Sequence, residues 1–132
     1  MKCFLWMIWC LIVGCVGKSK YVDIGEGSII CAGAIITTDV RIGDHVVINL
    51  NCTVGHDVVL HNFVTIAPMV AISGNVTLKD LVEIGTSASI RQGITVARNS
   101  MLGMGSVLTK DIASPALYFG APAKRIKSKE AK

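Results

Sequence analysis

The chain is poor in the side chains that usually carry chemistry. Its 132 residues hold three histidines, His45, His56 and His61, and no two of its five cysteines stand at a metal-type spacing. No glycine-rich fingerprint follows a strand, so nothing marks a dinucleotide-binding unit. Basic residues do not alternate with aromatic ones and no nucleic-acid motif occurs, so no nucleic-acid partner is expected. The longest apolar run, Cys3–Val16, is 14 residues long. That is short of the roughly 20 that cross a bilayer, so a membrane is not an expected partner either.

What the chain does have is a period. From Ile24 to Leu108 every sixth residue is Ile, Leu or Val, giving 15 consecutive hexads. Four residues after each anchor stands a second small or β-branched residue, from Ser28, Ala34, Val40 and Val46 through Cys52 and Val58 to Ser100, Ser106 and Ile112. A period of six fits neither a helix nor a simply alternating strand. It is the hexapeptide repeat of a parallel β-helix. Three hexads make one triangular coil, so 15 hexads predict an all-β solenoid of about five coils. Residues eighteen apart then stack, roughly 4.8 Å from coil to coil. The residue after the anchor is often small (Gly25, Gly43, Gly55, Ala67, Gly85, Ala97, Gly103), which is expected to serve tight corners. The open ends of such a prism need covers.

The predicted organisation is an apolar N-terminal segment at 1–20, a β-helix at 21–113, and a C-terminal loop with a basic tail at 114–132. The first segment reads as a cap or as the stub of a preceding domain. Its alternative is a signal peptide, since Lys2 precedes the apolar run and Ile12-Val13-Gly14-Cys15 is similar to a lipoprotein cleavage box. Residues 1–109 carry seven basic and seven acidic residues, whereas 110–132 carry six and two, so the net charge of +4 lies wholly in the tail. A basic tail is either a solvated face or a phosphate site. The cysteines, Cys3, Cys10, Cys15, Cys31 and Cys52, are expected to be reduced thiols, with Cys52 on an inward position.

One pair stands out. In Val54-Gly55-His56-Asp57 an outward imidazole neighbours a carboxylate, and eighteen residues on its stacking partner is Gly74, which has no side chain. This is a candidate general base, with a solvated turn histidine as the alternative. His45 reads as a solvated corner. His56 and His61 have the spacing of a histidine pair in the γ-class carbonic anhydrases. The position that would supply a third ligand, thirty-six residues before His56, is Lys20. Zinc catalysis wants three protein ligands and an open site, so no metal is expected.

With these residues in view, the chain resembles the hexapeptide-repeat acyltransferases. Within them it is similar to the sialic-acid O-acetyltransferase and nucleotide-amino-sugar N-acetyltransferase subfamily. The likeness lies in Ile48 to Leu60, Ile66-Ala67-Pro68 to Gly74-Asn75-Val76, Leu102 to Val107, and Gly120-Ala121-Pro122-Ala123-Lys124-Arg125. It covers about residues 20–127. The resemblance implies a single-stranded left-handed parallel β-helix with a short C-terminal extension. It further implies a cytoplasmic homotrimer that uses acetyl-CoA as co-substrate and a sugar or nucleotide sugar as acceptor. His56 would be the base and Asp57 its activating neighbour. Gly74, Gly85, Thr86, Gly103, Met104 and Gly105 would line the groove for the CoA arm between subunits, with a backbone N–H near Gly74 holding the oxyanion. Pro122, Ala123, Lys124 and Arg125 would meet the nucleotide end. Leu50 and Phe63 would help pack the trimer. The subfamily's N-terminal Rossmann-like domain has no counterpart in the sequence given. Besides the metalloenzyme, the alternatives are a non-catalytic structural β-helix or a truncated gene product.

Overall fold

The computed structural model describes residues 21–128. The expectations for the apolar run Cys3–Val16, for Cys3, Cys10 and Cys15, and for Lys20 lie outside these residues. Within them the chain is all strand and turn, wound as the expected parallel β-helix of about five turns.

Each coil lays three short strands on three faces. The first face stacks β1 (Val22–Ile24), β4 (Val40–Ile42), β7 (Val59–Leu60), β10 (Thr77–Leu78) and β13 (Thr95–Val96). The second holds β2 (Ile29–Ile30), β5 (Val47–Ile48), β8 (Thr65–Ile66), β11 (Glu83–Ile84) and β14 (Met101–Leu102). The third holds β3 (Ile35–Ile36), β6 (Thr53–Val54), β9 (Ala71–Ile72), β12 (Ser89–Ile90) and β15 (Val107–Leu108). Neighbouring strands pair parallel with a register of eighteen, as in Thr77↔Thr95 and Leu78↔Val96. Each coil donates its N–H groups to the carbonyls of the next, for example Thr53 N to Val70 O at 2.9 Å and Val59 N to Val76 O at 2.9 Å.

The two inward columns are those of the repeat. The anchors from Ile30 to Leu108 are buried, and so are the residues four later from Val40 to Ile112. Ile24, the first anchor, is 44% exposed because it stands at the end of the prism. Two inward positions are serines. Ser106 Oγ accepts the Gly120 N–H at 3.0 Å, whereas the buried Ser100 Oγ has no partner among the described residues.

The corners correct the expectation for the small residues. The left-handed conformation falls three residues after the anchor, at every corner from Gly27 to Gly105. Four of these residues are glycine. The other ten include Asp57 (φ 56°), Phe63 (φ 59°) and Leu81 (φ 60°). The glycines directly after the anchor do a different job. A Cβ on Gly55 would meet Gly74 N at 2.6 Å, and one on Gly85 would meet Met104 N at 2.5 Å. Those positions are small because consecutive coils approach closely, not because φ is positive.

The segment expected as a C-terminal loop is instead largely a hairpin. Strand β16 (Ala116–Phe119) joins β14 in parallel, and β17 (Lys124–Ser128) returns antiparallel to β16, so both extend the second face. The turn between them crosses the end of the third face, where Val107 N donates to Gly120 O at 3.0 Å and Ala123 N to Val107 O at 2.8 Å. No helix among the described residues is long and apolar enough to cross a membrane.

Candidate active site

His56 sits on the corner column between the third and first faces, in the turn from β6 to β7. Asp57 follows it in the left-handed conformation (φ 56°), and its Oδ2 lies 2.8 Å from His56 Nδ1. With Nδ1–H donating to the carboxylate, the neutral ring presents Nε2 as an acceptor. Nε2 faces Gly74: a Cβ there would meet Nε2 at 2.5 Å and Cε1 at 2.6 Å. The imidazole thus occupies the space a side chain would need. Both side chains are about half exposed, at 51% and 56%, so a reactant can reach them.

Gly74 also contributes its backbone. Ser73 N donates to Ile90 O and Asn75 N to His56 O, while Gly74 N has no acceptor among the described residues. On the corner between the first and second faces the equivalent N–H groups are occupied. Glu26 N donates to Asp44 Oδ1 at 2.8 Å, Asp44 N to Asn62 Oδ1 at 2.9 Å, and Asn62 N to Asp80 Oδ1 at 3.1 Å. At Gly74 the next side chain in the column is Gln92 rather than a short Asp or Asn, and the N–H stays free. A free N–H on the side toward which Nε2 points is what an oxyanion donor requires.

The remaining sequence-predicted residues fall elsewhere. Gly85, Thr86, Gly103, Met104 and Gly105 line the corner between the second and third faces, across the third face from His56. There Phe119 packs against the bare Cα of Gly103. Pro122 and Ala123 lie in the hairpin turn next to that corner, and Lys124 and Arg125 open β17 with exposed side chains. Within one chain His56, Asp57 and Gly74 come together, and so do the second-corner glycines and the tail. The two groups border opposite edges of one face and do not meet.

His45 is not merely solvated. Its ring stacks on Phe63 with centroids 5.4 Å apart and planes at 15°, on the corner that also carries His61. His56 and His61 therefore stand on different corners. No group of three metal-binding side chains is present among the described residues. Cys31 and Cys52 are free thiols. Burial pushes the Cys52 thiol up, against the lowering effect of backbone hydrogen bonds from Val70, Met69 and Asn49.

Sequence reading missed one feature. A concavity of about 470 Å³ adjoins the dyad, lined by Tyr21, Asp23, Asp39, Arg41, Asp57 and Val59. Eighteen-residue arithmetic could have found it, because Tyr21, Asp39 and Asp57 form one column and Asp23, Arg41 and Val59 another.

Comparison with known proteins bears on this geometry. The family described as the hexapeptide repeat of succinyl-transferase matches residues 82–110. Among solved structures, the chain is similar to the acetyltransferase domain of PglB from Neisseria gonorrhoeae FA1090. The identity is 36% and the TM-score 0.80, over 82% of this chain and 53% of that one; the same domain is also known in complex with acetyl coenzyme A. It is similar to perosamine N-acetyltransferase from Caulobacter crescentus in complex with CoA and GDP-perosamine, at 31% identity and TM-score 0.81, over 83% and 52%. WeeI from Acinetobacter baumannii AYE matches at 34% identity and TM-score 0.78, over 80% and 52%. No curated protein sequence matches. Repeat, fold and these likenesses bear out the resemblance to the hexapeptide-repeat acyltransferases, on the side of the sugar N-acetyltransferases. The chain spans about half the length of these relatives.

Proposed function

We propose that this chain is an acyl-CoA-dependent acyltransferase that moves an acetyl group from acetyl-CoA to an amino or hydroxyl group of a sugar or nucleotide sugar. The observation that carries the reading is the His56 ring itself. Its Nδ1 is tied to Asp57 at 2.8 Å, and its Nε2 is left free beside the unpaired N–H of Gly74. The similar structures with acetyl-CoA, CoA and GDP-perosamine support the co-substrate and the acceptor class.

In this mechanism Nε2 takes a proton from the acceptor's N–H or O–H as that atom attacks the thioester carbonyl carbon. Asp57 stabilises the imidazolium that forms. Gly74 N–H donates to the oxyanion of the tetrahedral intermediate. Collapse breaks the C–S bond, and the imidazolium returns the proton to the departing CoA thiolate. His56 is neutral again, and the products are the acylated acceptor and CoA.

The placement of the two residue groups supports a homotrimer. If the second–third corner of one chain lies beside the third–first corner of the next, the groove between them holds the dyad and Gly74 on one wall. Gly85, Thr86, Gly103, Met104 and Gly105 form the other wall. Lys124 and Arg125 then receive the CoA phosphates, Arg125 as a planar fork suited to them, with Pro122 and Ala123 shaping the turn. The exposed Leu50 and Met69 on the second–third corner provide apolar surface for the contact, whereas Phe63, expected to share in it, stands on the first–second corner against His45.

The test is acetyl-CoA binding by calorimetry, then a screen of amino-sugar nucleotides and sialic acid by CoA release, with the mass in solution measured in parallel. A trimer that binds acetyl-CoA and transfers the acetyl group to one of these acceptors is expected. A monomer without affinity for acetyl-CoA would overturn the proposal in favour of a non-catalytic β-helix.

A further inference from the structure

The two ends of the prism are finished differently. At the C-terminal end the chain covers its own last coil. Val96 bridges to Ile112, β16 lies on β14, and the hairpin turn crosses β15, with Ala123 N donating to Val107 O at 2.8 Å. At the N-terminal end β1, β2 and β3 are each the last strand of their sheet, with a neighbour on one side only. The rim there is apolar. Of the 12 exposed large apolar side chains among the described residues, Tyr21, Ile24, Ile29 and Ile35 all belong to this first coil. The Ile29 column continues as Val47, Thr65 and Glu83, and the Ile35 column as Thr53, Ala71 and Ser89. The middle of the stack thus replaces outward isoleucine by smaller or polar residues.

We infer that the N-terminal end is an internal docking surface whose occupant is the chain's own apolar run Cys3–Val16. Place, composition and register single out that occupant. Only Gly17-Lys18-Ser19-Lys20 separate the run from Tyr21, whose carbonyl already accepts Val40 N at the edge of the first coil. Four residues span at most about 14 Å, so the run is held beside the end at an effective concentration on the order of millimolar. The run carries no charged side chain in its 14 residues, and laying it on an apolar rim takes both surfaces out of water. Continuing the six-residue period backwards from Ile24 puts Lys18 at the next inward position. An inward ammonium without a partner is costly, so the run does not extend the solenoid by a further coil. It lies over the end as a cover, with Lys18 and Lys20 in solvent.

Such a cover shields three edge strands that are otherwise templates for end-to-end pairing of prisms. A bilayer is a poorer occupant for the run. Its 14 residues are short of a span. The basic residues Lys124, Arg125 and Lys127, which would hold an anionic lipid surface, lie on β17 at the opposite end of the prism.

Both tryptophans of the chain, Trp6 and Trp9, lie in the run, so indole fluorescence reports on it alone. The experiment is acrylamide quenching of that fluorescence in the full-length chain, native and in urea. The proteins are wild type, Ile24→Lys, Ile29→Lys and, as a control on another surface, Phe63→Lys, with circular dichroism and light scattering on the same samples. Native wild type should be quenched at least about three-fold less than the unfolded chain, which corresponds to a covered state about twice as populated as the open one. Ile24→Lys and Ile29→Lys put a charge under the cover and should each bring native quenching to within about 1.5-fold of the unfolded value. Phe63→Lys should leave it as in wild type. Quenching and mass should stay constant as protein concentration rises, and vesicles of phosphatidylcholine and phosphatidylglycerol should leave the emission unchanged. Native wild-type quenching equal to that of the unfolded chain would overturn the inference without recourse to any variant. So would wild-type protection in both folded rim variants, or protection that grows with concentration and mass, which makes a second copy the occupant. An emission shift on adding vesicles would overturn it in favour of a lipid surface. None of these readouts uses acetyl-CoA, so their failure leaves the acyltransferase reading standing.

Discussion

His56 Nδ1 and Asp57 Oδ2 lie 2.8 Å apart, and this contact between sequence neighbours depends on the left-handed backbone of Asp57 (φ 56°). In an extended strand adjacent side chains point to opposite faces; here the turn brings carboxylate and imidazole together on one corner. The same turn aims the other ring nitrogen at the bare Cα of Gly74. The dyad and the glycine therefore form one unit.

Gly74→Ala tests that unit without touching the dyad. The new methyl would stand 2.5 Å from His56 Nε2 and 2.6 Å from Cε1, so the ring must move away. Acetyl transfer should fall by about ten-fold or more, a geometric loss of the kind small misplacements produce. The thermal midpoint should change little. A Gly74→Ala protein with wild-type turnover would show that the ring's position over Gly74 does not matter.

The two inward serines should respond with opposite signs. Ser100 Oγ is buried without a partner among the described residues, so Ser100→Ala should stabilise the fold by about 1 kcal/mol. Ser106 Oγ accepts the Gly120 N–H at 3.0 Å and so ties the hairpin turn to the last coil. Ser106→Ala should cost about 1 kcal/mol and leave that N–H unsatisfied. Chemical denaturation of both variants reads the two shifts, and shifts of the same sign would refute the contrast.

Leu81 is a γ-branched residue held at φ 60°, a conformation costing roughly 1–2 kcal/mol for most side chains but tolerated by Asn. Leu81→Asn should raise stability by about 0.5 kcal/mol, because Leu81 is only 37% exposed and the burial it gives up offsets part of the relieved strain. A lower midpoint for Leu81→Asn would show that its packing outweighs its backbone strain.

Most of the fold was legible because its core is one-dimensional. An anchor every six residues and a small partner four later fix which side chains point inward, and burial from Ile30 to Ile112 follows that pattern. The corners were harder, because small residues after the anchor and left-handed residues three after it answer different constraints. Phe63 and Leu81 gave no glycine signal of positive φ. The hairpin of β16 and β17 was missed for two reasons: β16 joins β14 in parallel but out of period, Met101 pairing with Leu117 sixteen residues on instead of eighteen, and the antiparallel return of β17 leaves no six-residue mark. At the candidate site His56, Asp57 and Gly74 were legible from stacking arithmetic. The cleft was not, since Asp23, Asp39 and Arg41 face outward and lie outside the repeat's apolar columns.

Cys52 is buried and its thiol is pushed up, first by burial. Less thiolate is then present at any given pH, and the thiolate is the nucleophile. At pH 8 the native protein should therefore leave Cys52 unmodified by an alkylating reagent while the partly exposed Cys31 reacts. Mass mapping of the modified peptides decides it. The folded value lies above the unfolded one, so the unfolded chain loses its proton first as pH rises, and this thiol's contribution to stability declines through the alkaline range. Rapid alkylation of native Cys52 would contradict the burial.

The central claim is that His56 is the base. It is tested most directly by the rate of acetyl transfer to an acceptor found in the screen, compared between wild type and His56→Ala at saturating acetyl-CoA. The imidazole lies outside the aliphatic core, with its side chain 51% exposed, so the variant should fold, assemble and bind acetyl-CoA like the wild type. Its rate should fall by roughly 10²–10⁴, whereas His45→Ala, on another corner, should leave the rate near wild type. A His56→Ala protein that transfers acetyl groups at the wild-type rate would contradict the account.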